Sequence, residues 1–257
     1  MKLKKMLALT MAGLLAAGLT ACGSSADTSA APAAESTAAT ADAAGAPDGD
    51  GDPTTLTVAM ECAYAPYNWT QSDDSNGAVA IRGSSDYAYG YDVMMAKKIG
   101  EALGQQVQIV KLDWDSLIPA VMSGDVDCVI AGQSITAERA AQVDFSNPYY
   151  YASIVTLTKK DSAYANAASV ADLAGATATS QLGTIWYDTC LPQIENANIL
   201  PAQETAPAML VALNSGACDI VVTDRPTAQA ALVAKGWNPE NFRIVEEDTQ
   251  NLKSQKQ

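Results

Sequence analysis

No histidine occurs anywhere in the 257 residues. That absence removes His-based nucleophilic triads, imidazole general bases and the usual His-containing zinc sites. Phenylalanine is down to two residues, and the five cysteines never stand at the C-x-x-C spacing of metal or redox motifs. Neither a metal nor a cofactor is expected. Positive charge is scarce: 15 Lys and Arg face 29 Asp and Glu, and three of those lysines (Lys2, Lys4, Lys5) lie in the first five residues. Without that segment 12 basic residues oppose the 29 acidic ones, a formal charge of −17. This balance argues against nucleic acid as a partner, whose binding draws on Lys and Arg at phosphates. The acidity reads as a solvated surface that keeps an exported protein soluble.

The basic start is followed by an apolar run, Met6 to Ala21, and a small-residue end just before Cys22. Residues 1–21 therefore read as an export signal. The run is 16 residues long, short for a permanent span, and no later apolar run reaches spanning length. Leu19-Thr20-Ala21-Cys22 resembles a bacterial lipobox. The resemblance implies acylation of Cys22 and a lipid-held protein on the outer face of the cell membrane; an ordinary secretory signal beside a cysteine is the plainer alternative. Residues 22–53 continue as an Ala, Ser, Thr, Gly, Pro and Asp tract without aromatic, branched aliphatic or basic residues, which cannot bury a core and reads as a tether. Its end, Asp48 to Pro53, looks superficially like a calcium loop, but the required Gly and Glu positions hold Pro53 and Ala59.

From Thr54 onward short apolar runs alternate with helical stretches. Strands are predicted at Thr55–Met60, Val107–Leu112, Val126–Ala131, Ser153–Thr158, Ala176–Ser180, Asp219–Thr223 and Phe242–Glu246. Between them, Asp92–Leu103 places Met95, Ile99 and Leu103 on one helical face before Gly104, and Ser116–Ser123 ends at Gly124. The order predicts an α/β fold of sheets covered by helices. An internal echo sharpens it: Gly124 to Asp127 before an apolar strand is repeated by Gly216 to Asp219 before another. Two lobes are expected, at 54–154 and 155–247, with 248–257 an unassigned polar tail. Open α/β sheets bind ligands at the carboxyl ends of their strands, so the loops after the two echoed strands are candidate sites. Cys62, Cys128, Cys190 and Cys218 are expected to be buried; a Cys190–Cys218 disulfide is one candidate among three full pairings.

Several ordered motifs, Thr55 to Tyr67, Gly90-Tyr-Asp-Val93, Trp114 to Ala120, Ser134-Ile-Thr-Ala-Glu-Arg139 and Val143 to Tyr150, are similar to the family 3 extracellular solute-binding proteins. The similarity runs from about Thr55 to Glu246. It implies a two-lobed fold of the type II periplasmic-binding-protein kind, each lobe a mostly parallel sheet flanked by helices. It also implies capture of a polar amino acid between the lobes and delivery to an ABC importer permease. In that family the position of Arg139 binds the ligand carboxylate, a task suited to its planar fork of donors, with Gly132, Ser134 and Thr136 supplying further groups. Asp224, directly after the strand Asp219–Thr223, is the candidate partner of the ammonium, the favoured reading over a helix cap before Pro226, which the sequence would also satisfy. Thr184 in the Gly183-Thr184 loop is a second carboxylate contact, although Ile185 stands where the family often has another hydroxyl. Tyr64 and Trp114 are expected near the ligand side chain, Trp69 there or in ordinary packing. Glu61 suggests a polar or basic ligand. Asp92 reads as a helix cap, and Tyr149-Tyr150-Tyr151 as hinge packing.

Family members return to the first lobe after the strand matching Phe242–Glu246. Residues 248–257 are polar, and that return is expected to be truncated. Two alternatives use the same scaffold. One is a carboxylic-acid dehydratase-like enzyme with Arg139 as anchor and Glu61 or Asp188 as acid; the other is a ligand-sensing lipoprotein. The absence of His disfavours the enzyme. A monomer is expected.

Overall fold

The computed structural model describes residues 52–233 and the strand 242–246. The signal segment, Cys22, the tether up to residue 51 and the polar tail lie outside the described residues.

Strand β1 (Thr55–Met60) is buried almost throughout. Its alternating side chains serve two cores: Val58 and Met60 pack with Val93 and Ile109, while Ala59 packs with Leu117 and Ala120. Four short strands, β2 (Ala63–Tyr64), β3 (Asn68–Gln71), β4 (Val79–Ala80) and β5 (Tyr87–Tyr89), pair antiparallel in the order β2-β3-β5-β4. The long polar stretch after Gln71 is therefore the outer part of a small sheet. Helix α1 (Tyr91–Leu103) follows and stops at Gly104, which adopts the left-handed turn that closes a helix. β6 (Gln106–Lys111) pairs parallel with β1, α2 (Leu117–Ser123) stops at Gly124, and β7 (Cys128–Val129) completes the parallel sheet β6-β1-β7. The run predicted as a six-residue strand, Val126–Ala131, yields a ladder of only two residues, Cys128 and Val129 against Val58 and Ala59 of β1.

After the one-turn helix α3 (Ala137–Ala140) the chain enters the second lobe as β8 (Ile154–Lys159). β9 (Thr177–Thr179), β10 (Asn198–Ile199), α4 (Ala206–Ser215), β11 (Ile220–Asp224), α5 (Arg225–Val233) and β12 (Phe242–Glu246) complete a sheet ordered β10-β9-β11-β8-β12. β9, β10 and β11 are mutually parallel, whereas β8 runs antiparallel to both β11 and β12. The sheet is thus mixed, since β8 arrives straight from the first lobe with no crossover helix to turn it. Leu157, Leu173, Met209, Leu213 and Ile220 are fully buried in its core.

The echo has one physical meaning in both lobes. Asp127 accepts from the Thr57 N–H of β1 at 2.6 Å, and Asp219 accepts from the Thr177 N–H of β9 at 2.9 Å. Each carboxylate extends the strand pairing just beyond its glycine turn. Cys190 and Cys218 are both buried thiols, so the candidate disulfide between them is not made; burial pushes the Cys218 thiol up to about 11, which keeps it from acting as a thiolate. No helix among the described residues is long and apolar enough to cross a membrane.

Candidate functional site

The predicted residues sit where strands end. Glu61 and Tyr64 follow β1, the Gly132–Thr136 loop follows β7 and leads to Arg139 on α3, Thr184 lies in the loop after β9, and Asp224 is the last residue of β11. A strand that is central and fully buried delivers its terminal side chain into the space between lobes, and β11 is buried at all five positions.

Four contacts join the lobes at these residues. Arg139 donates from Nη2 to the Gly183 carbonyl at 2.9 Å, and Trp114 Nε1 donates to the same oxygen at 3.0 Å. The Tyr64 hydroxyl donates to Asp224 Oδ2. Gln181 Nε2 donates to both oxygens of Glu61, at 3.0 and 3.1 Å. Gly183 can approach so closely only because it has no side chain: its φ is +65°, and a Cβ there would meet Asp115 Oδ1 at 2.4 Å. The guanidinium of Arg139 is further held by the Ser134 carbonyl at 2.9 Å and lies 5.6 Å from the Trp114 ring centre, a cation–π arrangement. Burial lowers its pKa, opposed by Glu138 and Asp188.

Tyr64, Trp114, Gly132, Ser134, Arg139 and Thr184 surround one point, a space of only about 20 Å3. That is room for about one water. Three predicted residues stand apart from it. Thr136 caps α3, its hydroxyl accepting from the Arg139 N–H at 3.2 Å, and borders an outer cavity of about 410 Å3 beside Arg139. Asp224 caps α5 through the Thr227 N–H at 2.8 Å and faces a different cavity of about 400 Å3. Glu61 is tied to Gln181. The Thr184 hydroxyl donates to the Gln181 carbonyl at 2.7 Å. Trp69 packs edge-on against Tyr89 within the small sheet, away from all three spaces. Among the described residues no cluster of His, Cys, Asp and Glu could hold a metal ion.

Gln181 is not marked by any sequence motif, and Asp92 and Tyr149 take roles other than those expected of them. Gln181 lies between β9 and the Gly183 turn, where the strand-end rule alone could have marked it. Asp92 was expected to cap α1, but Gly90 holds the cap position, and Asp92, in the first turn, is fully buried. It accepts from Asn68 Nδ2 at 2.7 Å and from the Tyr149 hydroxyl at 2.9 Å, and that hydroxyl accepts from the Gly132 N–H at 2.9 Å. Tyr149 therefore positions the Gly132 loop from α1, a role that no local pattern displays.

Three buried carboxyls, Glu61, Asp92 and Asp224, make stability depend on pH, burial raising the pKa of each. Burial pushes Glu61 up to about 7 and Asp92 up to about 6, each opposed by its hydrogen bonds. A folded pKa above the unfolded one favours the protonated form in the native state. The stability these groups contribute is full below their unfolded values and is lost as pH rises through 6 and 7. The exposed Asp52, Asp73 and Asp172, whose pKa values are lowered by hydrogen bonds, act in the opposite sense at lower pH. Thermal melts from pH 4.5 to 8 should therefore show the melting temperature falling toward pH 8. Glu61→Gln should flatten that fall and stabilise the protein at pH 8 by ~1–3 kcal/mol. A melting temperature that climbs steadily over this range would contradict the assignment.

Comparison with known proteins gives this geometry a context. Residues 56–255 match the family model of bacterial extracellular solute-binding proteins, family 3. The chain belongs to that family. The arginine-binding extracellular protein ArtP of Bacillus subtilis (strain 168) is 34% identical over 130 residues, 51% of this chain and 45% of that protein. A probable histidine-binding protein of Campylobacter jejuni is 30% identical over 194 residues, 75% of this chain and 67% of the relative. The crystal structure of an amino acid ABC transporter substrate-binding protein from Streptococcus pneumoniae, bound to L-arginine, aligns with a TM-score of 0.64 at 26% identity, over 77% of each chain. The fold is that of type II periplasmic binding proteins. The family is one of extracellular solute-binding proteins, and a further solved structure, 28% identical with a TM-score of 0.64, is the substrate-binding protein of an amino acid ABC transporter.

Proposed function

We propose that this chain is a lipid-anchored binding protein that captures a polar amino acid between its lobes and delivers it to an ABC importer permease. The observation that carries the proposal is the convergence of Arg139, Ser134, Thr184, Tyr64, Trp114 and Gly132 from both lobes on one point. In this reading Arg139, Ser134 and Thr184 meet the carboxylate, Asp224 the ammonium, and Glu61, Tyr64 and Trp114 the side chain. The names of the relatives, for arginine and histidine, and the L-arginine in the Streptococcus structure support a basic ligand. So does the carboxylate of Glu61. Space for about one water does not admit an amino acid, so ligand entry requires the contacts of Gly183, Asp224 and Gln181 across the cleft to part, a hinge motion of the lobes. Residues 54–154 and 155–247 are the moving units in this proposal, and the mature protein, a monomer, begins at an acylated Cys22 after removal of residues 1–21.

The raised pKa of Glu61 is what a proton donor in a dehydratase would need. Yet Glu61 is 3% exposed, held by Gln181, and absent from the space around Arg139. Its shift follows from burial, and binding without chemistry is the better account.

Isothermal titration of the full chain against a panel of free amino acids should give saturable heat with arginine, histidine or another polar amino acid. The intact mass of membrane-extracted protein should correspond to a chain starting at Cys22 with acyl groups. Absence of heat across the panel would reject ligand capture, and an unmodified Cys22 would reject the anchor.

A further inference from the structure

Two hydrogen-bond chains meet on one buried carboxylate in the first lobe. The first starts at the Cys62 N–H, which donates to Asn68 Oδ1 at 2.7 Å; the Asn68 amide in turn donates from Nδ2 to Asp92 Oδ2 at 2.7 Å. The second starts at the Gly132 N–H, which donates to the Tyr149 hydroxyl at 2.9 Å, and that hydroxyl donates to Asp92 Oδ1 at 2.9 Å. Asn68 and Asp92 are both fully buried. The two starting points flank the candidate site: Cys62 stands between Glu61 and the strand Ala63–Tyr64, and Gly132 opens the loop that leads to Ser134 and Arg139. Cys62 has a left-handed backbone, φ +54°, which a residue with a side chain adopts only where its surroundings hold it.

The direction of each chain is fixed by its first donor. A backbone N–H can only donate, so Asn68 turns its oxygen to Cys62 and its NH2 to Asp92. The Tyr149 oxygen takes the Gly132 N–H, and its own proton goes to Asp92. Every donor therefore points toward Asp92, and a carboxylate can accept on both oxygens. A protonated Asp92 cannot: one oxygen becomes a donor, and one chain must break or reverse. Burial pushes the Asp92 carboxyl up to about 6, against the bonds from Asn68 and Tyr149, so the carboxylate prevails at pH 7.5. Burial also pushes the Tyr67 and Tyr149 phenols, which feel the charge of Asp92, far above their usual range, and the Cys62 thiol up to about 12. Glu61, at about 7, and Lys111 act on this network through Cys62.

We propose that Asp92 is a positioning residue of the amino-acid site, the common acceptor that fixes the turn carrying Glu61 and Tyr64 relative to the loop carrying Gly132, Ser134 and Arg139. Its part in binding rests on the amino-acid reading; the two chains themselves do not. In that reading Glu61 and Tyr64 meet the ligand side chain while Ser134 and Arg139 meet its carboxylate, so Asp92 sets the spacing between the groups that hold the two ends of the ligand. Asp92 lines none of the three cavities and acts only through Asn68 and Tyr149. Bonds in a chain polarise one another, so the charge of Asp92 is felt at the Gly132 N–H through the Tyr149 hydroxyl. The carboxylate that holds both chains is also the form that burial disfavours, and fixed geometry at the site is set against stability.

Nuclear magnetic resonance of the isotope-labelled full chain from pH 4.5 to 8 tests the two chains. The Gly132 backbone amide and the Asn68 side-chain amide should shift together, with one midpoint near 6. In Asp92→Asn both steps should vanish. In Tyr149→Phe the Asn68 step should stay and the Gly132 step vanish, a pattern that a merely structural role would not produce. Calorimetry at pH 7.5 with L-arginine, L-histidine and the other polar amino acids should show affinity lower by about three- to tenfold in both variants, the worth of about one hydrogen bond. Tyr149→Phe keeps the ring that stacks on Tyr91 with centres 6.0 Å apart, so its loss of affinity is not a loss of packing. A Gly132 amide without a step near 6, a Gly132 step that survives in Tyr149→Phe, or wild-type affinity in both variants would overturn the proposal. Failure of the amino-acid reading looks different: no amino acid binds the wild type, while the Gly132 step is present and disappears in Tyr149→Phe.

Discussion

Arg139→Ala should weaken the binding of a free amino acid by about 30-fold or more, corresponding to ~2–5 kcal/mol for loss of one partner of a buried, hydrogen-bonded charge pair. The side chain is prepared for the task in three ways. Its guanidinium is oriented by the Ser134 carbonyl, bridged to the other lobe through the Gly183 carbonyl, and covered on one side by the Trp114 ring. Partial burial removes competing water, which strengthens each charge-assisted bond to a carboxylate. Arg139→Lys keeps the charge but loses the planar fork, so its affinity should fall between those of wild type and Arg139→Ala. Titration calorimetry with the amino acid that binds the wild-type protein measures both, and an unchanged dissociation constant in Arg139→Ala would remove Arg139 from the site.

Gly90→Ala should be among the most damaging single substitutions in the first lobe, at ~3 kcal/mol or more, combining a hard clash with a strained backbone. Gly90 has φ +133°, and a Cβ there would lie 2.2 Å from the Tyr67 carbonyl oxygen and 2.6 Å from its carbon. Both are backbone atoms, so no rotamer change relieves the contact. The same junction holds α1 in place: the Tyr91 and Asp92 N–H groups donate to the carbonyls of Pro66 and Tyr67 at 3.2 and 2.8 Å. Opening it shifts the segment that carries Tyr64 and Tyr67 and unseats Asp92 from Asn68 and Tyr149. Chemical denaturation followed by circular dichroism measures the loss; a Gly90→Ala protein with wild-type stability would mean that this packing is not tight.

The local signals that survived folding are those whose cause is local. Gly104 and Gly124 end α1 and α2 because a left-handed residue is needed there and glycine takes it without steric cost. The Gly-to-Asp echo keeps its meaning because Asp127 and Asp219 reach the N–H of the strand beside them. Thr136 and Asp92 show the opposite. Thr136 reads from its motif as a ligand contact, yet its hydroxyl is used as a helix cap. Asp92 reads as a cap, yet it is buried against Asn68 and Tyr149. Both roles depend on what stands beside the residue in space, and a short polar residue near a helix start suits either. The strand expected at Val126–Ala131 fell short for a similar reason: an apolar run proposes a strand, but only a neighbouring edge completes one.

The amino-acid sequence by itself determined the alternation of strands and helices, the duplicated Gly–Asp turn, the membership of the solute-binding family and the residue types available to hold an amino acid. Each of these is written within one element or one turn, where periodicity and side-chain chemistry act directly. Only the tertiary structure decided which groups meet across the cleft. Glu61 and Gln181 are 120 residues apart, Tyr64 and Asp224 are 160 apart, and Arg139 and Gly183 are 44 apart. No local pattern encodes such pairs. They arise when two separately formed sheets bring their strand ends together, and the same packing that joins Arg139, Ser134 and Thr184 around one point also sets the Tyr64 hydroxyl against Asp224.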